Sequence, residues 1–277
     1  MSINQEKYIP NNAKRAPIAR LAIAAHQDDV EIMAYSAIAD CFNNASEGFC
    51  AVITSDGAGS ARSSVYQNYT DQQISTIRAN EQKQAAQIGQ YQLLHLLNYP
   101  SSQIQDPQDS KIINDYLNIL NDTKPRIIYT HNLADKHPTH QAVAIKTIQA
   151  IRLMDKSTRP SKVLGVEVWR GLDWLNNDQK VLLDCSQHPD LEQQLLKVFD
   201  SQISGGKRYD LAVIGRRRAN AVFLESHNID QYQKLNIAMD LTPLILDDNL
   251  DICDYVLSFI NDFKKSVKDS IKKILGK

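Results

Sequence analysis

Apolar positions in this chain fall into short unbroken runs separated by longer amphipathic stretches. The runs are Arg20 to Ala25 (RLAIAA), Cys50 to Thr54, Leu93 to Leu97 and Arg126 to Thr130 (RIIYT). An apolar run of this length, bounded by polar turn residues, predicts a strand covered on both faces. The stretches between them predict helices: from Asp29 through about Ala45, from about Asp71 to Ile88 with Gly89 as the residue that ends it, and from Asp109 to Leu120. Strands alternating with helices predict an α/β fold, Rossmann-like and doubly wound, with a mostly parallel sheet and helices on both faces.

The ends of the chain are patterned differently. Residues 1–18 are polar, with Pro10 and Pro17, and predict a flexible N-terminal arm; residues 19–277 are read as a single domain, with a core over 19–155 and a less regular cap and C-terminal helix over 156–277. Within the cap, Val163 to Trp169 and Val181 to Asp184 predict strands, Asp190 to Ile203 and Ala212 to Glu225 helices, and Gly205-Gly206 a flexible or close-approach turn. Near the C-terminus, Val256, Ile260, Phe263, Val267, Ile271 and Ile274 recur at helical spacing, with Lys264, Lys265, Lys268, Lys272 and Lys273 on the other faces. Two readings stay open for that helix: one docked on the body or joining a homo-oligomer, and one lying on an anionic membrane surface.

Composition removes several classes. Lys and Arg number 31 against 32 Asp and Glu, a net charge of −1 with no basic block, which argues against a nucleic-acid binder. With 43% hydrophobic and 23% charged residues the 277-residue chain is expected to fold around a substantial core. No run is long enough for a transmembrane segment and the N-terminus has no apolar signal core, so the expected compartment is cytoplasmic. Cys41, Cys50, Cys185 and Cys253 include no Cys-x-x-Cys, and indicate neither a disulfide framework nor a thiolate metal site.

The candidate chemistry lies where two predicted strands end. His131, His137 and His140 follow the fourth strand within ten residues, and His26, Asp28 and Asp29 follow the first. Doubly wound sheets bind ligands outside the carboxyl ends of their strands, so these turns can meet although far apart in sequence. Imidazole with carboxylate suits Zn²⁺, and three protein ligands leave the open position that a catalytic metal needs. The same residues have a structural reading: Asp28-Asp29 as a pair at a helix N-terminus, and Asp135 or Thr139 as a cap of the next helix. A nucleotide-binding Rossmann site does not fit, because two carboxylates after the first strand would repel a pyrophosphate.

His26-Gln27-Asp28-Asp29-Val30-Glu31 resembles the His-x-Asp-Asp-x-Glu signature of the PIG-L/LmbE-like family of zinc-dependent N-acetylglucosaminyl (GlcNAc) deacetylases. Asp135-Lys136-His137-Pro138-Thr139-His140 resembles that family's second motif, His-Pro-Asp-His. Thr54-Ser55-Asp56-Gly57 is similar to its loop after the second strand, and Arg78-Ala79-Asn80-Glu81 with Ala85-Ala86 and Gly89 to its Arg-x-x-Glu helix. The likeness covers about residues 20–150, with a weaker echo at Ser201-Gln202. It implies a hydrolase that removes an N-acetyl group from an amino sugar or glycoconjugate. His26, Asp29 and His140 would hold Zn²⁺, with Fe²⁺ the alternative; Asp28 would be the general base, His137 would stabilise the oxyanion and protonate the amine, and Arg78 would grip the substrate.

This chain departs from the family pattern at Gln27, where relatives carry Pro, at Ala34-Tyr35-Ser36, where they are small and Gly-rich, and at Thr139, which replaces the Asp that can partner His137. Gln27 is expected to point harmlessly between the ligands, and Ala34-Tyr35-Ser36 to alter packing beneath the site. Asp135 is the nearest substitute for that partner, and His131 is an extra imidazole, read as supporting the site or standing in for His137 or His140. Glu167, Trp169, Arg170, Trp174 and Arg216-Arg217-Arg218 are the candidates for substrate selection, against ordinary core or surface roles. The remaining alternatives are an amidase acting on a thiol conjugate and a noncatalytic metal-binding interaction protein with the same fold.

Overall fold

The structure, a computed structural model, describes residues 5–277. In chain order it comprises β1 (Glu6–Tyr8), β2 (Ile18–Ala24), α1 (Asp29–Met33), α2 (Tyr35–Cys41), β3 (Gly48–Ser55), α3 (Asp71–Ile88), β4 (Leu93–Tyr99), α4 (Ser101–Ile104), α5 (Lys111–Thr123), β5 (Ile127–His131), α6 (Pro138–Arg152), β6 (Lys162–Val166), β7 (Lys180–Asp184), α7 (Pro189–Lys197), α8 (Asp200–Ile203), α9 (Tyr209–Val222), β8 (Leu235–Asp240), α10 (Pro243–Leu246) and α11 (Ile252–Ile274). The strands form one sheet in the order β1-β4-β3-β2-β5-β6-β8-β7. From β4 to β6 all pairings are parallel.

Alternation within β2 shows why the sheet is covered on both faces. Leu21 and Ile23 join one buried cluster, with Val52, Tyr116, Ile128 and Val143. Ala22 and Ala24 join the other, with Met33, Ile53, Tyr91 and Leu94. The chain lays β3 and β4 on one side of β2 and β5 and β6 on the other, so the strand order reverses between β2 and β5, and a crevice opens at their carboxyl ends. The helix α3 begins at a capping box, the Thr70 side chain accepting from the Gln73 N–H while Gln73 Oε1 accepts from the Thr70 N–H.

Several expectations are corrected. The arm is not free throughout: Glu6–Tyr8 pair antiparallel with β4, because the unpaired edge of β4 offers backbone partners to an adjacent extended segment; its first four residues lie outside those described. The helix expected from Asp29 to Ala45 breaks at Ala34 into α1 and α2 and ends at Cys41. That expected over Asp190 to Ile203 breaks after Lys197, where Phe199 leaves helical geometry and is buried. The strand β8 lies between β6 and β7, antiparallel to both, in a segment with no predicted element. Cys41, Cys50 and Cys185 are buried free thiols and Cys253 an exposed one. Among the described residues no helix is long and apolar enough to cross a membrane.

Candidate metal centre and cleft

The carboxyl ends of β2 and β5 bring the two motifs together. The chain leaves β2 through His26 and turns into α1 at Asp28, which has φ +88°, a conformation rare outside glycine and here imposed on a buried side chain. Gln82 on α3 accepts the Asp28 N–H at 3.2 Å and holds that turn. The chain leaves β5 through His131 and enters α6 at His137-Pro138, with proline at a first-turn position where no N–H is missed.

His26, Asp29 and His140 converge. His26 Nδ1 lies 3.1 Å from Asp29 Oδ2 and 3.2 Å from His140 Nε2. Asp29 Oδ2 and His140 Nε2 are 3.3 Å apart. Three ligand atoms arranged tetrahedrally about an ion at ~2.1 Å would lie about 3.4 Å from one another, so the triangle has the size a zinc-like ion needs. Other groupings are spaced for a metal as well: His26, His137 and His140, and Asp29, His131 and His140. The local field favours a cation. Burial opposes the charging of His140, yet Asp29 and Asp135 on either side raise its pKa to about 9. Burial likewise works against Asp29, but His140 and His131 hold its carboxyl well below the usual range. Burial pushes the neighbouring Asp28 the other way, well above that range, against the pull of Arg78.

His131 lies against the triangle, its Nε2 3.6 Å from Asp29 Oδ2. Its Nε2 accepts the Ala25 N–H at 2.9 Å, which occupies that lone pair, and its ring stacks on His140 at 3.8 Å between centroids. The geometry therefore favours the supporting reading of this extra imidazole over a ligand role. His137 stacks on the other side of His140, with centroids 4.6 Å apart. Asp135 does not partner the His137 ring: its Oδ1 accepts the His137 backbone N–H, and its Oδ2 lies 3.5 Å from His140 Nδ1 and accepts the Trp169 N–H at 3.2 Å. Thr139 Oγ1 accepts from Gln105 instead. Burial, with His140 and His26 nearby, then lowers the His137 pKa to about 4, and its Nδ1 is buried with no protein partner.

Arg78 is buried beside Asp28. Its Nη2 donates to the Gln27 carbonyl at 2.6 Å and lies 3.4 Å from Asp28 Oδ2, and its Nη1 donates to Ser60. Two carboxylates on the same helix are engaged elsewhere: Glu81 receives the Ser201 N–H and hydroxyl, and Asp71 pairs with Arg62. The Ser201 echo is thus a tie between α3 and α8. Gln27 does more than point between ligands: fully buried, it donates to the Ser55 carbonyl, and its Oε1 lies where a Cβ on Gly57 (φ +70°) would be 2.3 Å away. Tyr35, in the expected packing change, bolts α2 to the cap through the Gln187 and His188 carbonyls.

A cavity of about 560 Å³ opens onto the centre. Trp169 and Tyr209 stand edge to face on its wall at 5.9 Å, and Lys207 Nζ lies 5.2 Å over the Trp169 ring. Lys207 and Tyr209 were not foreseen as cleft residues; their one sequence signal was Gly205-Gly206, where a Cβ on Gly205 would sit 2.1 Å from the Ser201 carbonyl oxygen. The candidate selection cluster divides. Trp169 and Arg216 line this cavity, whereas Arg170 and Trp174 line a second one against α11. Glu167 borders the first but is buried and bonded to the Leu172 and Ile237 N–H groups. Arg217 meets no ligand: it is fully buried, paired with Glu192 at 2.6 Å, and donates to the Glu31 and Ile32 carbonyls, because the end of α1 needs donors there. Arg218 is exposed.

Comparison with known proteins accords with this geometry. No curated protein matches the sequence. Among solved structures, the N,N'-diacetylchitobiose deacetylase from Pyrococcus horikoshii superposes with a TM-score of 0.63 at 15% identity, over 88% of this chain and 91% of that one. The hydratase GalB from Pseudomonas putida KT2440, which acts on 4-carboxy-2-hydroxymuconate, gives 0.62 at 16% identity, over 81% and 96%. The A40926 pseudoaglycone deacetylase Dbv21 gives 0.58 at 14% identity, over 80% and 96%. At these identities the likeness is one of fold, and a fold shared by a hydratase and deacetylases does not choose the reaction. The family model of PIG-L, the GlcNAc-PI de-N-acetylases, matches residues 21–151, the span that carries both histidine–aspartate motifs and the strands that present them.

Proposed function

We propose that the protein is a metal-dependent N-deacetylase that hydrolyses the acetamide of an amino sugar or glycoconjugate. The observation that carries this reading is the triangle of His26, Asp29 and His140, with edges of 3.1 to 3.3 Å, at the floor of a cleft beside a second buried carboxylate, Asp28. The family match and the deacetylases among its structural neighbours support it. His26, Asp29 and His140 would hold the ion, Zn²⁺ by the chemistry of the donor set. When bound, such an ion polarises an amide carbonyl and lowers the pKa of water to roughly 7.

The chain's own groups would do the rest. Asp28 takes a proton from the attacking water, and Arg78 and Gln82 keep that carboxylate and its strained turn in place. His137, whose buried Nδ1 has no protein partner, meets the carbonyl oxygen as negative charge gathers on it. The C–N bond then breaks, the nitrogen takes up the proton that Asp28 removed from the water, and acetate and a free amine leave. Trp169 and Tyr209 offer an apolar wall for a sugar face, with Lys207 and Arg216 beside them for hydroxyl or anionic substituents.

The test joins metal content to amine release from a panel of N-acetyl amino sugars. About one zinc or iron per chain is expected, lost in His140→Ala, with activity lost on chelation. Asp28→Ala should keep the metal and lose about 10²- to 10⁴-fold in rate. Full metal occupancy in His26→Ala, Asp29→Ala and His140→Ala would refute the ligand set, and an unchanged rate in Asp28→Ala would refute the base.

A further inference from the structure

The last helix leaves the body and keeps going. Of its 23 residues only Val256 is buried, and from Asn261 to the end of the chain every residue is exposed. Yet its apolar residues form one stripe: Phe263, Val267 and Ile271 are 41%, 42% and 53% exposed, and Ile274 is 82% exposed. Lys264, Lys268 and Lys272 run as a single i, i+4 row along one border of that stripe, with Lys265 beyond them. Residues 260–277 hold six lysines against two aspartates, a net +4 in a chain whose total is −1. At its base the stripe is continuous with a second cavity of about 740 Å³, where Leu257, Ile260 and Phe263 face Leu133, Ile145 and Trp174.

We propose that α11 is an interfacial helix that docks the protein on an anionic membrane surface. Charge selects that partner. Lysine stems can lie along an apolar face while their ammonium groups reach outward, and a row of them beside a stripe of Phe, Val and Ile matches negatively charged headgroups above acyl chains. A second copy of the helix fits poorly. It would set the same lysine rows against each other, and the stripe from Val256 to Ile274 keeps the 3.6-residue period of a straight helix, with Ser270 where a heptad seam would want an apolar residue. A straight stripe suits a flat surface. The cavity at its base borders the loop after β5, since Leu133, Ala134 and Asp135 line it, and that loop runs on to His137 at the cleft; a docked helix would therefore bring the cleft close to the bilayer.

The test is flotation of the full chain with vesicles of phosphatidylcholine alone and of phosphatidylcholine mixed with phosphatidylserine. Binding is expected to the mixed vesicles only, and to fall as salt is raised. Lys264→Glu with Lys268→Glu and Lys272→Glu should abolish it, and Phe263→Ser with Ile271→Ser should weaken it by about tenfold or more. These positions are exposed, so thermal melting of both variants should match that of the unaltered chain, which separates lost docking from lost fold. No binding, or equal binding to neutral vesicles that the lysine changes leave intact, would overturn the proposal. So would a dimer in solution that Phe263→Ser with Ile271→Ser dissociates, which would assign the stripe to a second copy.

Discussion

A tryptophan beside a catalytic cleft can be core or contact, and Trp169 is decided by its neighbours. It is half-buried, shares the cavity wall with Tyr209, and its ring centroid lies 6.4 Å from that of His137. Trp174, five residues on, faces a different cavity, so spacing in sequence could not have told the two apart. If Trp169 supplies apolar contact to a bound sugar and no reacting group, Trp169→Ala should raise KM by about tenfold, the worth of one stacking contact, while kcat stays within about twofold. Steady-state kinetics on any accepted N-acetyl sugar checks this, and a large fall in kcat with KM unchanged would move Trp169 into the chemistry. Legibility divides in the same way. The residues of the histidine–aspartate centre were readable because they lie within ten residues of the end of an apolar run that the fold places at the crevice. Lys207 and Tyr209 were not, because they reach the cleft only through the packing of α8 and α9 around Gly205.

Elements of the parallel core were legible for a physical reason: a strand buried on both faces must be almost wholly apolar, and β2 and β3 are. The cap was harder. The strand β8 carries Asn236 and Asp240 among its apolar residues, and Asn236 is buried because it donates to the Ile32 carbonyl and accepts from Arg217. Arg217 itself sat in a run of three arginines that read as a candidate for substrate selection or as a solvated helix face. It is instead the bolt between α9, α7 and α1, joined to Glu192 and to the carbonyls that end α1, and Lys234 also pairs with Glu192. Removing a buried ion's partner strands the other charge, so Arg217→Met should cost roughly 3–5 kcal/mol. The residual Lys234 contact places the expectation at the low end. Urea unfolding measures it, and adding Glu192→Gln to Arg217→Met should recover part of the loss; a change below about 1 kcal/mol would mean the pair contributes little.

At the scale of the whole molecule the sheet and the last helix do different work. The two apolar clusters that cover the sheet take in residues from β2 through Val256, and Tyr255 fastens the root of α11 by donating to the Asp240 carbonyl at 2.5 Å. Beyond that root no side chain after Asn261 is buried, although the sequence pattern alone was equally compatible with a helix packed on the body. Hydrophobic periodicity reports that a helix has a face to cover but does not say what covers it. Stability should follow the packing. A chain ending after Ile260 loses no fully buried side chain, only the contact of Phe263 with the rim of the second cavity and the Gln179–Asp262 hydrogen bond, so its melting temperature should stay within about 2 °C of the full chain, as expected for a change near the surface. Amine release from a small water-soluble acetamido sugar should also be unchanged, because neither the centre nor the wall of the cleft includes residues beyond that point. A fall of several degrees would show that α11 stabilises the body after all, and a fall in rate at unchanged stability would tie the helix to the cleft itself.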